Sequence, residues 1–158
     1  MNNVKEAKTL SGPILALDLG EKRVGVAVSD ELQISIKRLP PLTRSSWKQL
    51  LLDVLDSVQQ FKATALVIGF PLGPAGVQGA AAGNARKSAE KFARSLSIPI
   101  YLQDERLTSV AAREQLLAEG RNSKELKKLL DSEAAAIILG DFIGGGQDRI
   151  LVSVAESD

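Results

Sequence analysis

The sequence predicts an α/β domain built on a mixed five-stranded sheet, with a three-strand antiparallel meander followed by two parallel strands and flanked by helices. Two apolar runs, at 14–17 and 24–28, are joined by a Gly-containing polar turn, a pattern typical of a β-hairpin. Further along, short apolar runs alternate with longer stretches of helical periodicity, which is the order of βα units. A hairpin leading into βα units indicates a mixed sheet with helices on both faces.

The remaining elements follow in chain order. A third strand is predicted at 33–39, ended by Pro40-Pro41. Apolar residues spaced by three and four predict a helix over 47–61, capped by Ser45 or Ser46. The later predicted elements are a strand at 65–69, a helix at about 84–96, a strand at 98–102, a helix from Thr108 to about Gly120 and a last helix from about 122 to 143.

The length of 158 residues predicts one domain. We expect a flexible lead-in over 1–13, a folded domain over 14–143 and a C-terminal tail over 144–158. One apolar run in the tail, at 150–154, has the composition of a loosely attached strand, and its role cannot be read from the sequence.

The composition excludes several kinds of chemistry. The chain has no cysteine and no histidine, which rules out disulfides, thiolate zinc sites, imidazole bases and serine–histidine triads. If the protein is an enzyme, its chemistry must come from carboxylates, Lys, Arg, hydroxyl groups or a metal held by carboxylates.

Charge and hydropathy bear on partners and location. The net charge of +1 gives no global attraction for nucleic acid, so a polyanion site must be local. The first twelve residues are too polar for a signal peptide, and no apolar stretch approaches the roughly 20 residues that span a bilayer. The expectation is a cytoplasmic protein without a membrane partner.

Three carboxylates stand in apolar settings. Asp18 ends the first apolar run, where Asp is disfavoured and costly to bury. Glu105 follows the strand at 98–102, at the carboxyl end where α/β sheets form their sites. Asp131 lies in the last helix, near two small alanines. Three such carboxylates are typical of a site that holds a hard divalent cation for chemistry on a phosphate group. The alternative is that each carboxylate is satisfied without a metal. Asp18 would accept hydrogen bonds from backbone donors, Glu105 would pair with a basic neighbour, and Asp131 would be solvated.

Basic and hydroxyl groups give a weaker signal for phosphate contact. The candidates are Arg23, Arg106, Thr108, Ser109, Lys127 and Lys128. A basic stretch is most often a solvated face, and Thr108 is equally suited to capping a helix. Few aromatic residues are present, so recognition should use backbone shape and charge rather than base stacking. Two other acids are interpreted as structural: Asp104, and Glu133, which should point away from Asp131.

Four segments resemble the motif blocks of the YqgF (RuvX) family, in the family's order and spacing. They are LALDLGEKRVGVAVSD, VIGFPLGPAGVQG, YLQDERLTS and LLDSEAAAIIL, and together they cover about 14–143. The resemblance implies an RNase H-like fold and metal-dependent phosphodiester hydrolysis. It implies processing of the 5′ end of pre-16S rRNA on the ribosomal small-subunit precursor or, alternatively, resolution of Holliday junctions.

The resemblance also assigns roles to residues. The family's catalytic and metal-binding acids fall on Asp18, Glu105 and Asp131, which would hold two Mg²⁺ or Mn²⁺ ions with Asp18 shared between them. The second block departs from the family pattern at Gly73 and at 75–77, which removes polar groups from that loop.

Two other classes remain as alternatives. An actin-type ATPase would need two such domains, and no Gly-Lys-Ser/Thr follows the Gly-rich segment at 69–83. A non-catalytic module that binds nucleic acid or a transcription factor could use the same scaffold. The sequence does not separate RNA from DNA substrates, nor a monomer from a weak homodimer.

Overall fold

A computed structural model of the protein describes residues 10–70, 79–104, 118–119, 123–144 and 149–152, without the side chains of 81 and 123–131. The elements are β1 (Ile14–Leu19), β2 (Arg23–Ser29), β3 (Ile36–Thr43), α1 (Trp47–Phe61), β4 (Ala65–Phe70), α2 (Ala80–Ser95), β5 (Ile100–Asp104), α3 (Ser123–Ile143) and β6 (Arg149–Val152). Within these residues, no helix combines the length and the apolar character needed to cross a membrane.

The strands form one sheet in the order β3-β2-β1-β4-β5-β6. β1, β2 and β3 pair antiparallel, and β4 and β5 join β1 in parallel, so the predicted meander and parallel pair are confirmed. The predicted number of five strands is wrong. β6, within the range expected to be a tail, pairs antiparallel with β5 and adds a sixth strand at the edge.

β3 differs from its prediction at both ends. Asp30 Oδ1 accepts hydrogen bonds from the backbone N–H groups of Ile34 and Ser35, at 2.7 and 2.9 Å, which extends the turn and delays the strand. The strand then continues through Pro40-Pro41 to Thr43. Prolines are tolerated here because β3 is an edge strand, and its register against β2 shifts between Val24 and Val26.

Two apolar cores lie on opposite faces of the sheet. Leu15 and Leu17 of β1 belong to the core that α1 and α2 cover. Ile14 and Ala16 belong to the second core, with Ala135 and Ile138 of α3. Because side chains alternate along a strand, the residue after Leu17 faces α3.

The helices match the predictions in part. α1 spans the predicted residues, and its first turn is capped by Ser46, whose Oγ accepts from the Gln49 N–H at 3.1 Å. α2 begins four residues before its predicted start because alanines of high helix propensity open it. α3 ends at Ile143, as predicted. The predicted helix over 108–120 falls mostly outside the described residues.

Candidate active site

Asp18 is half-buried near the end of β1 and shares the α3 face with Ala16. The hairpin turn begins directly after it. Gly20 donates its N–H to the carbonyl oxygen of Arg23 at 3.0 Å, and a Cβ at Gly20 would lie 2.6 Å from that oxygen. The turn therefore requires glycine.

Glycines flank Asp18 on both neighbouring strands. Gly25 of β2 pairs with Asp18 directly. Leu17 pairs with Ile68 of β4, and continuing that register by one residue places Gly69 beside Asp18 on the other side. At this level, β2 and β4 therefore place no side chain beside the carboxylate.

Gln103 extends the same row by one strand. It pairs with Gly69, and its side chain is buried, with 3% of the residue exposed. Sequence reasoning did not select Gln103. The signal for it lies in the pairing of β4 with β5, which places a buried carboxamide across a glycine from Asp18.

The backbone of α3 at residue 131 lies toward the same end of the sheet. Ser132 Oγ donates to the carbonyl oxygen of Leu39 at 2.7 Å. Leu39 pairs with Val26, which pairs with Leu17, the residue before Asp18. At the other end of β3, a Cβ on Gly140 would lie 3.7 Å from Ile36. The helix thus runs away from the Asp18 end as residue number increases.

The remaining predicted site residues are described only in part or not at all. The side chain of Asp131 is not described, and neither are those of Lys127 and Lys128, although all three belong to α3. Others lie outside the described residues: Glu105, Arg106, Thr108, Ser109 and the altered loop at 73–77. Over the ranges that are described, which leave out Glu105 and the side chain of Asp131, no group of three or more acidic side chains is close enough to hold a metal.

Basic residues border the turn after Asp18. Arg23, predicted to contact phosphate, is half-buried at the start of β2 and pairs with Thr43. Arg44, which sequence reasoning did not select, donates from Nη1 to the carbonyl oxygen of Gly20 at 2.8 Å. It also donates its backbone N–H to the carbonyl oxygen of Lys22 at 2.8 Å. These contacts tie Arg44 to the turn that follows Asp18.

Two acids of α3, Asp141 and Glu133, have defined surroundings. Burial raises the pKa of the Asp141 carboxyl above its ordinary value, and the negative charge of Asp104 raises it further, although residue 141 as a whole is exposed. Glu133 is buried, and its Oε1 lies 2.6 Å from Nε of Arg38 on β3. Glu133 therefore has a cationic partner on the sheet.

The fold defines the class of protein. It is similar to the Thermus thermophilus RuvC structure in complex with a Holliday junction substrate, with a TM-score of 0.55 and 17% identity over 89% of this chain and 99% of that one. The RuvC structure described without that substrate gives a TM-score of 0.53 at 15% identity. At these identities the likeness shows the fold alone, the RNase H-like architecture of RuvC-type resolvases, as predicted.

The sequence identifies the family. The model of the RuvX family, described as Holliday junction resolvase, matches residues 12–144, so the chain belongs to the RuvX family. A relative from Rickettsia bellii, named as a proposed pre-16S rRNA nuclease, is 35% identical over 88% of this chain and 92% of its own length. A Synechocystis relative with the same name is 37% identical over 82% and 85%. The predicted family is confirmed, and family and fold together support a nuclease.

Proposed function

We propose that this protein is a divalent-metal-dependent nuclease of the cytoplasm that processes the 5′ end of pre-16S rRNA. The observation that carries the proposal is Asp18, a carboxylate near the end of a central strand, flanked by Gly25 and Gly69 and facing α3. The names of the relatives support the choice of substrate. The catalytic unit is proposed to span 14–143, with β6 added to its sheet.

Mg²⁺ or Mn²⁺ fits the residues that are present. The chain contains no histidine or cysteine, and an oxygen-only ligand set is what these hard cations prefer. The glycines that flank Asp18 on β2 and β4 suit the same role, because they place no side chain beside its carboxylate. The proposed ligands are Asp18, Glu105 and Asp131. When bound, a pair of such ions supplies an activated water and neutralises charge on the phosphoryl and leaving oxygens.

The protein's own residues would bind and orient the phosphate backbone. Arg23 lies at the rim of the site, and Arg106, Thr108, Ser109, Lys127 and Lys128 are proposed to contact phosphate around it. Arg44 fixes the turn after Asp18 through the carbonyl oxygen of Gly20, which keeps the carboxylate in place. We propose a monomer or weak homodimer whose partner is the small-subunit precursor, recognised by shape and charge.

A second candidate function is resolution of Holliday junctions, which the family description and the RuvC-like fold favour. A junction resolvase cuts two symmetric strands and would need two active sites related by a two-fold axis. A substrate comparison can separate the two functions.

The test uses purified protein with Mg²⁺ or Mn²⁺ on three substrates in parallel: a 5′-extended rRNA precursor, plain single-stranded RNA and a four-way DNA junction. The proposal predicts cleavage of the precursor that stops when EDTA removes the metal. Paired cleavage of the junction alone would establish the resolvase. Binding without cleavage of any substrate would favour a non-catalytic module and would contradict the proposal.

A further inference from the structure

Glu133 is a buried carboxylate that the proposed chemistry does not use. It lies on α3 two residues after Asp131, with 5% of its side chain exposed. A buried charge needs a partner, and Nε of Arg38 lies 2.6 Å from its Oε1. That oxygen accepts no hydrogen bond of regular geometry from the described part of the chain, so the attraction is that of an ion pair.

A second polar contact lies beside the ion pair. Ser132 is buried, and its Oγ donates to the carbonyl oxygen of Leu39 at 2.7 Å. Two consecutive residues of α3 are thus held by two consecutive residues of β3. Together the contacts fix both the rotation and the translation of the helix at the positions that directly follow residue 131.

Apolar packing around these two contacts is light. The buried residues that follow Glu133 are Ala134 and Ala135, whose methyl groups offer little resistance to sliding. The larger apolar side chains that α3 buries against the sheet, Ile138, Leu139 and Phe142, lie between one and three turns further along. Among the side chains that the structure describes, these two polar contacts are therefore the restraint on α3 that lies nearest to Asp131.

Arg38 also faces a third segment. Its Nη2 lies 4.0 Å from Oε2 of Glu119, a partly exposed pair that contributes little by itself. Glu119 follows the chain segment that contains Glu105. Arg38, on the edge strand β3, thus contacts one residue close to Asp131 in sequence and one that lies downstream of Glu105.

We propose that Arg38 is a positioning residue of the metal site: through its ion pair with the buried carboxylate of Glu133, it sets the place from which Asp131 reaches the ion beside Asp18. The proposal rests on the proposed function. It assigns no ligand role to Arg38 or Glu133, because both are engaged with each other. The position of α3 at residue 131 then determines whether the metal site is complete.

The test measures the Kd for Mn²⁺ by calorimetry, at a temperature where circular dichroism shows each variant fully folded. Arg38→Gln is expected to bind Mn²⁺ about tenfold more weakly, the lower range for loss of an outer-shell partner. Lys37→Gln removes the exposed neighbouring charge and should bind like wild type. Arg149→Gln, which loosens the other end of the same helix, should also bind like wild type. A purely stabilising role for Arg38 would leave the Kd of the folded protein unchanged.

A conservative variant covers the case in which Arg38→Gln fails to fold. Arg38→Lys keeps the charge but loses the Nε geometry, and it should bind Mn²⁺ more weakly than wild type and more tightly than any folded Arg38→Gln. If wild type binds Mn²⁺ and the folded Arg38 variants bind it equally well, the positioning role is overturned and the proposed function stands. If wild type binds no Mn²⁺, the proposed metal site fails, and the positioning role fails with it.

Discussion

The middle and the C-terminal end of α3 are each held by an arginine from an edge strand, but the partners differ. In the middle of the helix, Arg38 of β3 pairs with the buried carboxylate of Glu133. At the C-terminal end, Arg149 of β6 donates to the carbonyl oxygen of Phe142 at 2.6 Å. Its Cζ also lies 4.0 Å from the centroid of the Phe142 ring, which in turn contacts the ring of Tyr101 at 5.0 Å.

The difference lies in what remains when the arginine is lost. Arg149 has neutral partners: it supplies the cation that the last turn of α3 lacks, and without it the carbonyl of Phe142 can turn to water. Arg38 has a charged partner, and without it Glu133 stays buried and uncompensated. One arginine therefore adds stability at a helix end, whereas the other neutralises a charge two residues from a predicted catalytic acid.

The largest stability effect is expected for Arg38→Met. Because it leaves the Glu133 carboxylate without a cation, the free energy of unfolding should fall by about 2 kcal/mol in urea denaturation, less than for a fully buried pair since the Arg38 side chain is 38% exposed. The double variant with Glu133→Met should recover most of that loss, since apolar pairs of similar volume replace buried ion pairs at little cost. A double variant as unstable as the single one would show that the loss comes from packing of the arginine stem.

A smaller effect is expected for Arg149→Met. Loss of the hydrogen bond at the helix end and of the cation–π contact should lower the free energy of unfolding by about 1–2 kcal/mol. Mn²⁺ binding by the folded variant should not change, because Phe142 lies about 16 Å along the helix from residue 131. A large loss of Mn²⁺ affinity in Arg149→Met would show that Arg149 and Arg38 do not differ in their effect on the metal site.

The smallest effect concerns Asp141, one residue before Phe142. Its pKa is raised in the folded protein above the ordinary value of 3.8, so the folded state favours the protonated form. Stability from this group is complete below that value and is lost as the pH rises through the folded pKa. Asp141→Asn should therefore melt slightly higher than wild type at pH 7, by less than about 2 °C, because the carboxyl is largely exposed. At a pH below 3.8, the difference in Tm between Asp141→Asn and wild type should vanish. A lower Tm of the variant at pH 7 would contradict the raised pKa of Asp141.

Local patterns predicted the parts of the fold whose cause is local. α1 matches its predicted span because its apolar spacing and its serine cap lie within the contiguous segment 46–61. β4 was predicted because a run that is buried on both faces is continuously apolar. The apolar run at 150–154 indicated a loosely attached strand, but the place of β6 in the sheet was missed because its pairing depends on the edge of β5, which the local sequence does not display.

The site residues divide in the same way, into those that a local pattern reveals and those whose position depends on the fold. Asp18 was predicted because an acid inside an apolar strand is an anomaly that the local sequence displays. Gln103 and Arg44 were not, because their positions follow from strand register and from the closing of a turn. The sequence predicted that Glu133 points away from Asp131, but its partner Arg38 lies 95 residues earlier and is revealed only by the packing of α3 on β3.

The most direct test of the metal-dependent nuclease is Asp18→Asn, which removes the central charge and keeps the shape. Measured beside wild type on the 5′-extended precursor, the variant should show no cleavage and no rise in Tm on addition of Mn²⁺, with an unchanged circular dichroism spectrum. Glu105→Gln and Asp131→Asn should lose cleavage in the same assay. Cleavage that persists in pure Asp18→Asn, or a Tm that rises with Mn²⁺ as it does in wild type, would contradict the account.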